Sequence, residues 1–334
     1  MTASSWIENL LVIAGFSLVG WIIVSGARNE RWKRAWLRLR RDRVGMAAGF
    51  VILLYLVIGG LEMIRIPAEG GRDTTILSFL TSGIPSEHDY SSPFAKTSFS
   101  LSDPQPLRGT HLLGTDALGK DVFVQSLRAC RTALVIGGMT SLVYIPLGTL
   151  LGIMAGYFRK WVDDVIQYVY TVVYSIPEIL FLISLLIVLG KGLGNMALAL
   201  GMTYWVSLCR LIRGETMRQA ERPYVAAARA LGQSHWKIIT RHLLPNVMHL
   251  VLIKLVLGFS NLVLAEALLS YLGVGSPIGT PSWGSMIDGA RGELSREPVV
   301  WWNLTAATGA LFLLVLALNL FGDALRRAFD PKRS

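Results

Sequence analysis

The chain alternates long apolar stretches with polar, charge-rich segments, and this alternation constrains it more than any other feature. Apolar stretches run over Trp6–Ser25, Val44–Ile66, Thr132–Tyr157, Val165–Leu189, Asn195–Ile212, Val247–Val274 and Leu304–Phe321. A helix needs roughly 20 mostly apolar residues to cross the hydrocarbon core of a bilayer. The expected fold is therefore all-α and integral to a membrane: a polytopic bundle of six core transmembrane helices plus an extra N-terminal helix over Trp6–Ser25. Composition agrees, with 52% of the 334 residues hydrophobic and 16% charged, against roughly a quarter charged in a soluble domain.

Charge sets the orientation. The net charge of +10 comes from basic residues clustered between the apolar stretches: Arg28 to Arg43, Arg159 and Lys160, Arg213 to Arg241, and the tail Arg326, Arg327, Lys332 and Arg333. Cytoplasmic loops of membrane proteins carry excess Lys and Arg. Placing these segments inside satisfies every loop at once and leaves Pro67–Arg131, Gly275–Asn303 and the N-terminus outside. The basicity thus reads as membrane orientation and not as nucleic-acid binding. Glu8 and Asn9 weaken the first stretch as a span and leave an interfacial helix as the alternative. Met1–Ser5 lacks a basic n-region, so the stretch is expected to be a retained anchor rather than a cleaved signal. The expected domains are 1–43, a hydrophobic segment with a basic linker, and 44–334, a transmembrane domain carrying a cytoplasmic loop over 213–246.

No catalytic, cofactor or metal site is expected. The five histidines show no metal spacing, Cys130 and Cys209 form no metal or disulfide pattern, and no Ser-His-Asp grouping stands out. Gly114–Asp121, GTDALGKD, nearly matches a phosphate-binding loop, but Asp121 stands where a hydroxyl must bind magnesium. Its glycines are expected to shape a turn before the third span, with Asp116 available as a cap. Small residues crowd that span: Gly137, Gly138, Gly148, Gly152 and Gly156. They suit close helix approach in lipid. Glu178, after the helix-breaking Pro177, and Glu266 fall inside apolar stretches, where ionisable groups usually face a bundle interior or a water-filled path. Both, with Pro177, are candidates for a translocation path, although hydrogen-bonded packing is the simpler reading of Glu266. Lys254 is expected near the inner end of its span, snorkelling to the interface.

The segment Tyr224–Asn246, YVAAARALGQSHWKIITRHLLPN, carries the most information. Ala226–Leu231 is rich in helix formers, Gly232 can stop that helix, Ser234 can cap a second one over Trp236–Leu243, and Pro245 is expected to close it. A short helix, a glycine turn and another short helix on the inner membrane face suit a groove on a partner. Without such a partner, Arg229, Lys237 and Arg241 would serve to bind anionic membrane lipid.

This segment resembles the EAA loop of ABC importer permeases: Glu-Ala-Ala, three residues, Gly, nine residues, Ile, one residue, Leu-Pro. Ala226 stands for the Glu, Ala227 and Ala228 follow, Gly232 is the glycine, His242 stands for the Ile, and Leu244-Pro245 close it. AARALG and RHLLPN at 227–232 and 241–246 are similar to the oligopeptide, dipeptide and nickel branch of that family. So are LGTDALGKDVF (113–123), LAEALLSYLGVG with TPSWG (264–284) and GDALRRAFDP (322–331). The set resembles the C-type permease subunit, and the stretch Trp6–Ser25 departs from it. The resemblance implies a type I importer permease fold in a bacterial cytoplasmic (inner) membrane. It implies a second homologous permease, two cytoplasmic ABC ATPases and a periplasmic or external substrate-binding protein as partners. It also implies a non-catalytic role in moving peptides or similar small solutes. Ala227, Ala228, Arg229, Leu231, Gly232, Arg241, His242, Leu244 and Pro245 would then couple the spans to the ATPases. A gradient-driven transporter would instead show paired broken helices in inverted repeats, and a membrane enzyme a catalytic cluster. The sequence displays neither.

Overall fold

The computed structural model describes residues 30–67, 73–99, 105–277, 279–297 and 299–329, together with Asn9. Apart from Asn9, the expected span Trp6–Ser25 lies outside the described residues. In chain order the helices are α1 Glu30–Arg41, α2 Arg43–Met63, α3 Ile76–Leu80, α4 Val122–Phe158, α5 Lys160–Ser175, α6 Glu178–Leu189, α7 Leu193–Ala220, α8 Pro223–Ala230 and α9 His235–Ile238. A π-helical turn Ile239–Leu243 follows, then α10 Leu244–Tyr271, α11 Trp283–Glu293 and α12 Trp302–Phe329. Strands β1 Arg65–Pro67 and β2 Asp73–Thr75 pair antiparallel, with Ile66 opposite Thr74. Among the described residues, five helices are long and apolar enough to cross a membrane, and the pair α5 and α6 makes a sixth if it is one span.

Several boundaries differ from expectation, with α5 starting at Lys160 and α7 running on to Ala220. Helix α4 starts at Val122, well before Thr132. The loop expected over Pro67–Arg131 therefore ends at Asp121, because Arg128 and Arg131 do not interrupt a helix whose first turn is capped. Asp121 supplies that cap, its Oδ1 accepting from the Val124 amide at 2.9 Å. Asp116, the expected cap, instead closes the preceding turn by accepting from the Leu118 and Lys120 amides. At Pro177 the expected span is two helices bent by 90°. Ile176, the residue before the proline, is extended at φ −85° and ψ 129°, as proline's Cδ demands of its neighbour.

The chain divides into two compact units, residues 1–135 with 263–334 and residues 136–262. In the first, α12 packs along α1, α2 and α11. Tyr55 of α2 donates to the Ala310 carbonyl of α12 at 2.8 Å, and Arg327 of α12 reaches Asp42 at 2.8 Å. That hydrogen bond holds the Asp42 carboxyl below the usual carboxylate range. Trp283 is fully buried and donates its indole N–H to the Ser126 carbonyl at 3.2 Å. His111, also buried, bridges Asp121 at 2.8 Å and Glu87 at 3.2 Å, which ties the segment before α4 together.

In the second unit the glycines of α4 set the packing. A Cβ on Gly148 would lie 2.8 Å from the Trp205 carbonyl oxygen, on Gly152 2.8 Å from that of Cys209, and on Gly156 2.6 Å from that of Arg213. Helices α4 and α7 therefore approach backbone to backbone over two turns, a contact that only glycine permits and that replaces the hydrophobic drive missing in lipid. Just beyond it, Arg213 grips Asp163 of α5 with two nitrogens, at 2.5 and 2.7 Å.

Gly152→Leu is expected to cost about 1–3 kcal/mol by overpacking, lowering the melting temperature of the purified protein in detergent. Gly138→Ala meets nothing within 4 Å and is expected to leave it unchanged or slightly raised.

Candidate functional site: a glycine-turned helical hairpin

Residues 223–246 build a compact hairpin on the end of the second unit. Pro223 opens α8 at a first-turn position, where its missing N–H costs nothing. The helix ends in a Schellman turn: the Gly232 amide donates to the Arg229 carbonyl at 3.0 Å and the Gln233 amide to that of Ala228 at 3.1 Å. Gly232 has φ +71°, a region that costs other L-residues about 1–2 kcal/mol. Ser234 then caps α9, its hydroxyl accepting from the Lys237 amide.

Pro245 does not end the second arm. The chain runs on without a break from His235 to Tyr271. The π-helical turn Ile239–Leu243 lies just before the proline, and the Leu244 amide reaches back to the Ile239 carbonyl, five residues away. Widening the helix there removes the clash a proline ring makes with the carbonyl four residues earlier, and the ring is accommodated at the start of α10.

Long-range contacts hold the arms. The Tyr157 hydroxyl, at the end of α4, meets His235 Nδ1 at 2.8 Å, and the Arg229 guanidinium lies 4.9 Å over the Tyr157 ring. Phe158 packs edge-on against His235. Gln233 meets His242 at 3.2 Å, and Asn246 donates to the Tyr224 hydroxyl at 3.3 Å and to the His242 carbonyl at 2.6 Å. Arg159, at φ +55°, is held by bonds to the Met217 carbonyl and Glu221. Local pattern could not have found the contacts to Tyr157 or those of Arg159, because their partners lie far apart in sequence.

The hairpin sorts the expected coupling residues. Ala227, Arg229, Leu231, Gly232, Arg241 and Pro245 are exposed, while His242 and Leu244 are half-buried. Ala228 is buried and turned inward with Val225, Ile238 and Leu243, so it packs the hairpin rather than presenting a surface. Leu231 is 80% exposed and Trp236 68%. Two large apolar side chains on a rigid turn, with Arg229, Lys237 and Arg241 around them, form a surface suited to a partner. Trp236 was missed as an individual contact, although an exposed tryptophan beside a turn is the signal that would have found it.

The expected path residues are not alike. Glu266 is 1% exposed and accepts from Ser270 at 2.8 Å and Ser276 at 3.2 Å, so it is enclosed by its own helix and the loop after it. Pro177 and Glu178 are exposed at the α5–α6 elbow, and Glu178 lies beside the Tyr204 hydroxyl.

The apolar helices define the class: a multi-pass helical membrane protein. Comparison with known proteins supplies the family. Residues 148–334 match the family model for the binding-protein-dependent transport system inner membrane component. The chain is 31% identical to a glutathione transport system permease protein of Pectobacterium atrosepticum, covering 90% of this chain and 91% of that one. It is 32% identical to a dipeptide transport system permease protein of Bacillus subtilis, with 89% and 85% covered. Against an oligopeptide transport system permease protein of the same organism it is 29% identical, with 90% of each covered. The chain therefore belongs to the inner membrane components of binding-protein-dependent transport systems.

Gly232→Val is expected to speed amide hydrogen exchange at Gln233 about tenfold, the equivalent of 1–2 kcal/mol of strain at the turn. Gly232→Asn, which tolerates positive φ, should stay close to the native rate.

Proposed function

We propose that the chain is the C-type permease subunit of an ATP-driven importer that moves peptides or similar small solutes inward. The relatives named for dipeptide, oligopeptide and glutathione transport support this class of cargo. It pairs with a second, homologous permease, takes solute from an external binding protein, and stands on two cytoplasmic ABC ATPases. The chain itself hydrolyses nothing. Residues 44–334 form the permease domain, and the basic segment 213–246 faces the cytoplasm by the charge argument.

The observation that carries this reading is the hairpin. Its exposed turn, Arg229–Leu231–Gly232 with Trp236, Lys237 and Arg241, docks into a groove on an ATPase subunit. Its second arm is tied through His235 and Tyr157 to the end of α4, so a displacement of the turn is delivered to a membrane helix rather than absorbed in a loop. Coupling in this sense is a lever with two stiff arms. Of the two acidic path candidates, Glu178 at the elbow is exposed, whereas Glu266 serves packing.

The test is ATPase activity of the co-purified complex in lipid, with and without binding protein and solute. The native complex should be stimulated. Gly232→Pro, which cannot adopt φ +71°, should assemble but lose at least about tenfold of the stimulation, a change of about 1.4 kcal/mol in coupling. Equal stimulation in the variant, or no ATPase bound to the native chain under mild conditions, would contradict the coupling role.

A further inference from the structure

Three polar levels follow one another along the face of α7 that turns away from α4. Glu178 lies beside Tyr204. Lys254 of α10 donates to the Ser207 hydroxyl at 3.1 Å. The Arg210 guanidinium sits over the rings of Tyr174 at 4.7 Å and Tyr170 at 5.1 Å, both on α5. Ser207 and Arg210 are exposed, and Tyr204 and Lys254 are half-buried. The opposite face, with Trp205, Leu208 and Ile212, is buried.

Depth makes these residues costly. Ser207 stands near the middle of Leu193–Ala220, and Lys254 stands well inside Leu244–Tyr271 rather than at its end. At 1.5 Å per residue, the Lys254 level is about 15 Å from the nearer end of its helix. Charges well inside an apolar helix almost always face the protein interior or a water-filled cavity.

Among the described residues no carboxylate pairs with Lys254 or Arg210. Lys254 has one hydroxyl acceptor for its three donors. Arg210 is held by its faces, which leaves the N–H groups at its edge free, and those groups match a carboxylate in geometry.

We propose that these residues form a carboxylate-binding lane in the translocation path, with Lys254, Ser207 and Arg210 taking the carboxylate of the transported solute and Glu178 with Tyr204 facing its amino group. This rests on the importer reading above. The levels of Tyr204 and Arg210 are about 9 Å apart along the helix, and an extended chain of about three residues covers the same distance. A hydroxyl and two tyrosine rings hold the cations in place without satisfying them, so the lane attracts an anion yet releases it, as a path must.

Two readouts test this. In the assembled complex in lipid, Ser207→Cys is labelled with an anionic and a cationic methanethiosulfonate, with the native chain as blank because Cys130 and Cys209 are buried. Both reagents should react, and adding Lys254→Gln should lower the anionic-to-cationic rate ratio about tenfold. No reaction with either reagent, or an unchanged ratio, overturns the lane. In uptake, Lys254→Gln and Arg210→Gln should lower the preference for peptides with a free C-terminal carboxylate over their C-terminal amides by a similar factor. Equal loss of both forms together with loss of ATPase stimulation would mean that the cations pair with an acid on the second permease, and overturns the proposal. If the native complex takes up neither form, the peptide reading fails, while the labelling ratio still decides whether the lane attracts anions.

Discussion

The second unit depends on the contact between the glycines of α4 and the backbone of α7. Gly148, Gly152 and Gly156 each leave room for a carbonyl of the facing helix within 3 Å of where a Cβ would stand. In lipid, burial of apolar surface gives little reason for two helices to associate, and close packing has to supply it. Once α7 is fixed against α4, its opposite face is fixed too, and that face carries Tyr204, Ser207 and Arg210. The end of α4 is fixed with it, and there Tyr157 and Phe158 receive the hairpin.

The hairpin follows from a few local rules that agree. Alanine-rich α8 forms readily, Gly232 ends it in the left-handed region, and Ser234 starts the next helix. Such a turn is short of internal freedom. Its arms add stacking and hydrogen bonds whose partners lie on α4, α7 and α10. Leu231 and Trp236 remain outside because the inward positions are already filled by Val225, Ala228, Ile238 and Leu243. An apolar tip held by such contacts is what the proposed coupling to an ATPase would require.

Much of this was legible in the sequence. Apolar length placed the spans from Val44 onward, and the helix–glycine–helix pattern placed the turn at Gly232 and the cap at Ser234. The rest was lost for physical reasons. Charge density hid the first turns of α4, because Arg128 and Arg131 read as loop while Asp121 was capping a helix. Pro177 signalled a break but not its angle, which is decided by how α5 and α6 pack on α7. Pro245 read as a stop because a π-helical turn leaves no mark in residue types. The bond between Lys254 and Ser207 had no sign in the sequence, because the two residues lie on different helices. The clamp between Tyr157 and His235 joins residues whose local surroundings show no sign of each other.

The most direct test of the coupling role is a photo-crosslinking amino acid placed at Leu231 in the assembled transporter, compared with the same probe at Val188, an exposed position near the far end of α6. The account predicts that Leu231 crosslinks to an ATPase subunit, that the yield changes between nucleotide-free and ATP-bound states, and that Val188 gives no such product. A Leu231 probe that reacts only with lipid, in every nucleotide state, would contradict it and make the hairpin an interfacial membrane element.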